Sequence, residues 1–354
     1  MSTMNVPYER LSGWLSKVFA RLGLAPEDAR FGAEAILAAD LLGFDTHGIR
    51  KIGNHVSRLA EGKLDPKAAF RVVSETPVSA VCDGGKGLGF PAATRAMRLA
   101  ISKAKASGVG ITVLRNTSTF GSCSVYCTMA LKEGMIGLCA TNAAGKSVVP
   151  VGGTAPLFST NPFGISIPAG KERGLLLDGA TSVTAWTRVM DHQWFKKPLP
   201  AGWCVDEKGM ATVDPEKAKA LLPLGSTIDL GAAKGWGLVL AVEALTGVLA
   251  NGVMNGGDVP PSEKGRGTLS AAQIFAAIRV DLFRPLEEFK ADMDSLLRYA
   301  HSSPGAEGAR PVRVPGEWEL ASEEIRRKEG IPLDDKAQAN IKKIAEKHGV
   351  AWEG

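Results

Sequence analysis

The sequence predicts an α/β protein, and three observations predict it. Between Ser79 and Ala143, three apolar strand-like segments alternate with two helical ones, the order expected when helices pack on a sheet. The texture changes after Pro66, from helical spacing of apolar residues to short strand-like runs. The chain has 354 residues, 45% of them hydrophobic, enough for two or three domains with sizeable cores.

The first segment is helical. Pro26 suits a first helical turn, Glu27 and Asp28 complement the dipole, and apolar residues recur to Leu42 before Gly43 ends the helix. Thr46 reads as an N-cap, with Ile49, Ile52, Val56 and Leu59 carrying a second helix to about Gly62. "FRVVSE" and "SAVCDGG" read as strands joined by a turn at Thr76 and Pro77. "GFPAATRAMRLAISKAKASG" is an amphipathic helix closed by Gly108. "VGITVLRN" is a buried strand, "SVYCTMALKEG" a helix closed by Gly134, and "MIGLCATNA" another strand. Residues 150 to 168 read as a structured loop with short strands. "GLLLDGATSV" is a strand running into a small-residue turn. "AAKGWGLVLAVEALTGVLANG" reads as one long apolar helix, "IFAAIRVDLF" as a strand and "PLEEFKADMDSLLRYAHSS" as an amphipathic helix. A Pro-rich loop, "RPVRVPGEWE", then leads to two helical segments.

Composition narrows the function classes. The net charge is +5, with acidic and basic residues interleaved; this is too mild for a nucleic-acid partner and compatible with a small anionic one. No apolar run reaches the length of a membrane span, and "MSTMNVPYER" lacks the regions of a signal peptide. Five scattered cysteines are not a disulfide framework. They read as reduced, mostly buried thiols, which points to the cytoplasm.

Five short stretches are candidates for chemistry. In Thr46-His47-Gly48, histidine titrates near neutrality and serves as a general acid, Thr46 can orient it, and Lys51 lies over the same helix face. A polar helix start without chemistry explains the same residues. A helix N-terminus also disfavours an imidazolium, which an anionic substrate would offset. "CDGGKGLGF" does not have the G-x-G-x-x-G spacing and reads better as a tight turn. "RNTSTFGS" ends a strand and opens a helix, a place where backbone N–H groups can hold phosphate or simply be capped. "DGATSV" and "GAAKGWG" join small residues to polar ones. Lys234, at the start of an apolar helix, suits an anion such as a cofactor phosphate, or a solvated boundary. His55, His192, His301 and His348 have no clustered acidic partners, so no metal site is expected. Trp186, Trp194, Trp203 and Trp236 read as packing residues, and "KAKALLPLG" and "EEIRRKEG" as solvated helix faces.

Taken together, these segments resemble the malate/L-lactate dehydrogenase family, the dehydrogenases that lack a Rossmann fold. "AADLLGFDTHGIRKI" resembles the family segment ending in Ser-His-Gly, and "RNTSTFGS" its Asn-Ser-Asn-His-Phe-Gly. "PVGGTAPLFSTNPFGISIP", "LLLDGATSV" and "GAAKGWGLVLAVEALTGVLANG" resemble its Gly-Thr-Asn-Pro, Asp-x-Ala-Thr-Ser and Lys-Gly-x-Gly segments. The order is the family's, and the matches span nearly the whole chain.

The resemblance implies an α/β, non-Rossmann architecture. It has a mixed-sheet nicotinamide-binding domain (71–118 and 176–289), a helical domain from both termini (1–70 and 290–354) and a small domain (119–175). It implies hydride transfer between NAD or NADP and a 2-oxo acid or cyclic ketimine acid, with His47 as proton donor beside Thr46. Lys51, Arg50, Thr160, Trp186 and Arg188 would meet the substrate. Phe120, Gly121, Ser122, Cys123, Ser124, Gly179, Ala180, Thr181 and Lys234 would hold the cofactor, and the protein would be a homodimer. Three positions depart from the pattern: Lys51 stands for a frequent arginine, Thr119 for a second histidine, and Trp186 and Arg188 alter the pocket wall. Thr119 motivates an alternative, a homologue that binds nicotinamide or an acid ligand with little catalysis.

Overall fold

The computed structural model describes residues 3–143, 145–254, 271–308 and 310–353. In chain order the elements are β1 (Met4–Val6), α1 (Tyr8–Arg21), α2 (Pro26–Leu41), a 3-10 turn (Ile49–Lys51), α3 (Ile52–Ala60), β2 (Arg71–Glu75), β3 (Ser79–Asp83), α4 (Gly89–Ser107), β4 (Val109–Thr117), α5 (Cys123–Lys132) and β5 (Met135–Thr141). There follow β6 (Phe163–Ile167), β7 (Leu175–Gly179), α6 (Trp186–Trp194), β8 (Cys204–Val205), β9 (Ala211–Thr212), β10 (Ala220–Leu221) and α7 (Ala232–Glu243). After them come β11 (Ala271–Arg279), α8 (Leu286–His301), α9 (Glu317–Glu329), β12 (Ile331–Leu333) and α10 (Asp335–His348).

Seven strands form one mixed sheet in the order β2-β3-β4-β11-β5-β6-β7. The segment β3-α4-β4 is a parallel crossover, the unit that strand-helix-strand alternation predicts. β11 then inserts between β4 and β5, antiparallel to both. This late strand separates the arrangement from a doubly wound parallel sheet. Its residues, AAQIFAAIR, are mostly buried, as a central strand covered on both faces requires. Phe275 of β11 packs with Phe120 and Tyr126, with ring centroids 6.0 and 5.4 Å away. Helix α4 lies close against β4: a Cβ on Gly110 would come within 1.9 Å of the Ala100 carbonyl oxygen.

The helical part draws on both termini. β1 pairs with β12, Val6 opposite Ile331, and Trp14 of α1 donates to the Val350 carbonyl beyond α10. Leu11, Leu15, Val18 and Phe19 of α1 join Ile36 and Leu37 of α2 in the main core, the apolar stripe that helical spacing produces.

The main sheet draws on the range 119–175 expected as a small domain. β5 and β6 of that range are interior strands of the seven-stranded sheet. The second, smaller core instead gathers Val148, Val189, Leu199, Cys204, Ala218, Leu221 and Val239, around the three-stranded sheet β10-β8-β9. "KAKALLPLG" is likewise not a helix face: Ala220 and Leu221 are buried in β10. The predicted long helix from Ala232 changes its winding partway. α7 ends at Glu243, and a π-turn covers Ala244–Val248. The buried Glu243 carboxylate there accepts from Asn142 at 3.0 Å and Asn161 at 3.1 Å, and Gly247 leaves the room they need. Burying a carboxylate requires such partners, and they come from segments some 80 to 100 residues away, beyond the reach of local pattern. All five cysteines are free and buried.

Candidate active site

Between α2 and the 3-10 turn, Asp45 to His47 form a tight turn in which the His47 N–H donates to the Phe44 carbonyl at 2.8 Å. Thr46 is not the predicted N-cap. Its hydroxyl lies 3.0 Å from His47 Nδ1, and Asp40 Oδ2 instead accepts the Ile49 N–H at 2.8 Å. The second helix starts later than the apolar spacing suggests, at Ile52. The hydroxyl bond orients the ring and marks Nε2 as the nitrogen free for chemistry.

Surrounding protein lowers the His47 pKa mainly by desolvation, although the ring remains open to a cleft. The charge of Asp178 works against that shift and raises it; the charge of Lys51 adds to it and lowers it. Asp178 is at the end of β7, where Oδ2 accepts from Ser122 Oγ at 2.5 Å and from the Ser124 N–H at 2.8 Å. It therefore caps the amino end of α5, where a carboxylate is favoured. The sequence carries Asp178 inside "LLLDGATSV", but its position beside His47 is a tertiary matter.

Thr46 and His47 line one wall of a cleft of about 390 Å³. The other lining residues are Gly145, Lys146, Ser147, Ser159, Thr160, Ala185, Trp186, Thr187 and Lys219. Of the expected substrate residues, Thr160 and Trp186 are thus brought to His47, and Trp186 also packs against the smaller core. Arg50 is not: it forms an ion pair with Asp334 at the head of α10. Arg188 is exposed on α6 and does not line the cleft. Lys51 acts on His47 through its charge without lining the cleft. Two cations that sequence reading missed, Lys146 and Lys219, take the lining positions. Lys219 lies between the buried Ala218 and Ala220. That alternation of small apolar and charged residues was the available signal for a strand with one open face.

The expected cofactor residues divide by burial. Phe120, Ser122, Cys123, Ser124 and Thr181 are buried. Phe120 is part of the aromatic core, and burial pushes the Cys123 thiol up. The Thr181 hydroxyl donates to the Thr160 carbonyl at 2.9 Å, tying β7 to the loop that carries Thr160. Gly121 adopts φ +87°, the left-handed region that glycine tolerates. Gly179 and Ala180 are half-exposed, and Lys234 is exposed in the first turn of α7. Thr119, in place of the family histidine, is half-buried and does not line the cleft. Among the other histidines, His55 is buried against Phe90, and desolvation lowers its pKa to about 4; it is neutral at working pH. Among the described residues no group of three or more His, Cys, Asp or Glu could hold a metal ion, and no helix is long and apolar enough to cross a membrane.

A mixed α/β sheet with a helical cap from both termini forms a non-Rossmann frame, and its oriented histidine in a cation-lined cleft fits proton transfer to an anionic ligand. The sequence profile of the malate/L-lactate dehydrogenase family matches residues 6–342, and the chain belongs to that family. It is 35% identical over 351 residues to the malate dehydrogenase of Pyrococcus horikoshii, covering 98% of this chain and 96% of that one. It is 34% identical to the L-sulfolactate dehydrogenase of Methanocaldococcus jannaschii, covering 94% of each chain. The crystal structure of malate dehydrogenase from Entamoeba histolytica superposes with a TM-score of 0.91 at 31% identity, over the full length of both chains.

The electrostatics make a measurable prediction. The His47 ring, followed by NMR, is expected to titrate below 6.5. Asp178→Asn, which removes the stabilising anion, lowers that value further; Lys51→Met raises it. A wild-type value at or above 6.5, or shifts of the opposite sign, would show that the charges around the ring are misread.

Proposed function

We propose that the chain interconverts 2-oxo and 2-hydroxy acids with NAD or NADP as hydride carrier, His47 supplying the proton in the reducing direction. The observation that carries this reading is the cleft in which His47, held by Thr46, meets the two lysines Lys146 and Lys219.

The residues present fit a dinucleotide. Apart from Gly179 and its two chain neighbours, no described residue has an atom within 4 Å of where a Cβ on Gly179 would sit, so the backbone at the end of β7 is open to a ligand. The buried Ser124 hydroxyl at the head of α5 has no hydrogen-bond partner among the described residues. Gly179 and Ala180 would hold the cofactor with Gly121 and Ser122, and Lys234 would meet a phosphate. Phe120, Cys123, Ser124 and Thr181 would shape that surface from beneath. A reduced nicotinamide, when bound, supplies a hydride ion.

The rest falls to this chain's own groups. As the carbonyl carbon accepts hydride, its oxygen takes the proton from His47 Nε2, leaving a hydroxy acid and a neutral imidazole. The Thr46 hydroxyl accepts from Nδ1–H of the imidazolium and still accepts from it in the neutral ring left when Nε2 gives up its proton, so its bond persists through the transfer. Asp178 favours the charged ring and Lys51 opposes it. The negative charge of a substrate carboxylate in the cleft offsets that opposition, which readies the acid once substrate is bound. Since the imidazolium is the donor, kcat/KM for reduction falls as pH rises through the lowered His47 pKa, and that for oxidation rises.

Lys219 and Lys146 extend the reading to acids with a second anionic group. Malate and sulfolactate, the acids for which two relatives are named, both carry one. No ion pair among the described residues engages Lys219, so its charge is available. Holding both ends of the substrate fixes the reacting carbon, and much of the rate comes from such fixing. A second copy of this chain would cover the exposed apolar side chains Leu230, Leu240, Leu245, Val248 and Leu249 at α7 and its π-turn.

Three measurements check these readings. His47→Ala should cut turnover about 10²- to 10⁴-fold while fluorescence titration shows reduced nicotinamide still binding; wild-type turnover removes His47 from the mechanism. In a panel of oxo mono-acids, oxo diacids and cyclic imine acids, Lys219→Gln should raise KM for a diacid about tenfold, the effect of a lost charged hydrogen bond, and leave a mono-acid within about twofold. Equal effects on both would sink the second-anion role, and no turnover of any member would favour the binding-only alternative. Sedimentation should show a dimer that Leu240→Glu with Val248→Glu dissociates; a wild-type monomer would refute the pairing.

A further inference from the structure

We infer that Asp40, on the last turn of α2, is a positioning residue that clamps the turn presenting His47. Its side chain is 2% exposed, and Oδ2 accepts the Ile49 N–H at 2.8 Å. A Cβ on Gly48 would lie 2.0 to 2.3 Å from the three carboxyl atoms. The carboxyl therefore packs directly on the Gly48 backbone, and no other residue fits there. Gly48 has φ −96°, so the demand for glycine is steric rather than conformational. A second anchor comes from α9: Arg326 Nη1 donates to the Asp40 carbonyl and, at 2.6 Å, to Asp45 Oδ1. His47 is thus held on both sides, by Asp45 before it and by Gly48 and Ile49 after it.

A carboxyl in this place is costly, because an apolar side chain would fill the space without desolvation. What it adds is an acceptor for an N–H at the start of the 3-10 turn, which Thr46 does not cap. Burial pushes its pKa up to about 8; the Ile49 N–H, Arg326 and Arg50 pull it down and the Asp45 charge adds to the rise. Burial therefore favours the neutral carboxyl, which still accepts the Ile49 N–H.

The inference rests on His47 being that donor, so its test includes readouts that need no turnover. Asp40→Ala should speed deuterium exchange across residues 44–52 at least tenfold and displace the His47 ring titration seen by NMR. It should also lower kcat at least tenfold with KM for reduced nicotinamide within twofold. Asp40→Asn, whose amide oxygen accepts the same N–H, should recover all of these to within about threefold. Unchanged exchange and ring titration in Asp40→Ala overturn the clamp. Faster exchange with an unmoved ring titration and wild-type kcat leaves a purely structural residue and overturns the positioning role. An Asn variant as impaired as the Ala variant overturns the hydrogen bond. Should the Asp40→Ala variant not fold, Gly48→Ala, whose methyl displaces the carboxyl, is read by the same criteria in its place. If no oxo acid is reduced, or His47→Ala remains active, the catalytic reading fails while exchange and titration still decide the clamp.

Discussion

One carboxylate, Asp178, joins the parts on which the site depends. It ends β7, it caps α5 through Ser122 and the Ser124 N–H, and its charge acts on His47. Sheet, covering helix and reactive turn therefore share a single acceptor. A helix head prefers an anion, and a charged imidazole prefers one too, so the same charge acts on both. The desolvation that makes His47 reluctant to ionise is opposed from a group fixed by the fold, which needs no rearrangement when substrate arrives.

The insertion of β11 between β4 and β5 gives this frame its character. A parallel sheet would place a ligand at the strand ends where the order reverses. With an antiparallel strand in the centre, that geometry is lost, and the cleft forms instead between the helical cap and the smaller core around β8, β9 and β10. His47 belongs to the first wall and Lys219 to the second. A substrate with charge at both ends would bridge them, and catalysis would then depend on how the two walls stand apart.

The cations illustrate how a site can be legible in kind and wrong in detail. Arg50 follows His47 by three residues, yet it turns to Asp334 and ties the reactive turn to α10. Arg188 follows Trp186 by two, and only Trp186 reaches the cleft. On a helix neighbours in sequence point apart, so adjacency along the chain was poor guidance to which charge meets a ligand. Lys219, some 170 residues from His47, lines the cleft at the residue before β10.

Local pattern by itself determined much. The periods of apolar residues marked α2, α4, α5 and α8 and strands β2 to β5, and glycines at 108 and 134 ended helices where positive φ was needed. His47 was legible as a candidate acid through its motif, as was Thr46 beside it, and both line the cleft. These features depend on neighbours a few residues apart, and helix period, strand alternation and glycine freedom are local physics. Tertiary structure alone decided the rest: the two-residue strands of the second sheet, the π-turn at Glu243, the capping of the 3-10 turn by Asp40 rather than Thr46, and the charges gathered at the cleft. Each is set by partners distant in sequence, or by a buried polar group that must find an acceptor or donor wherever the packed chain supplies one.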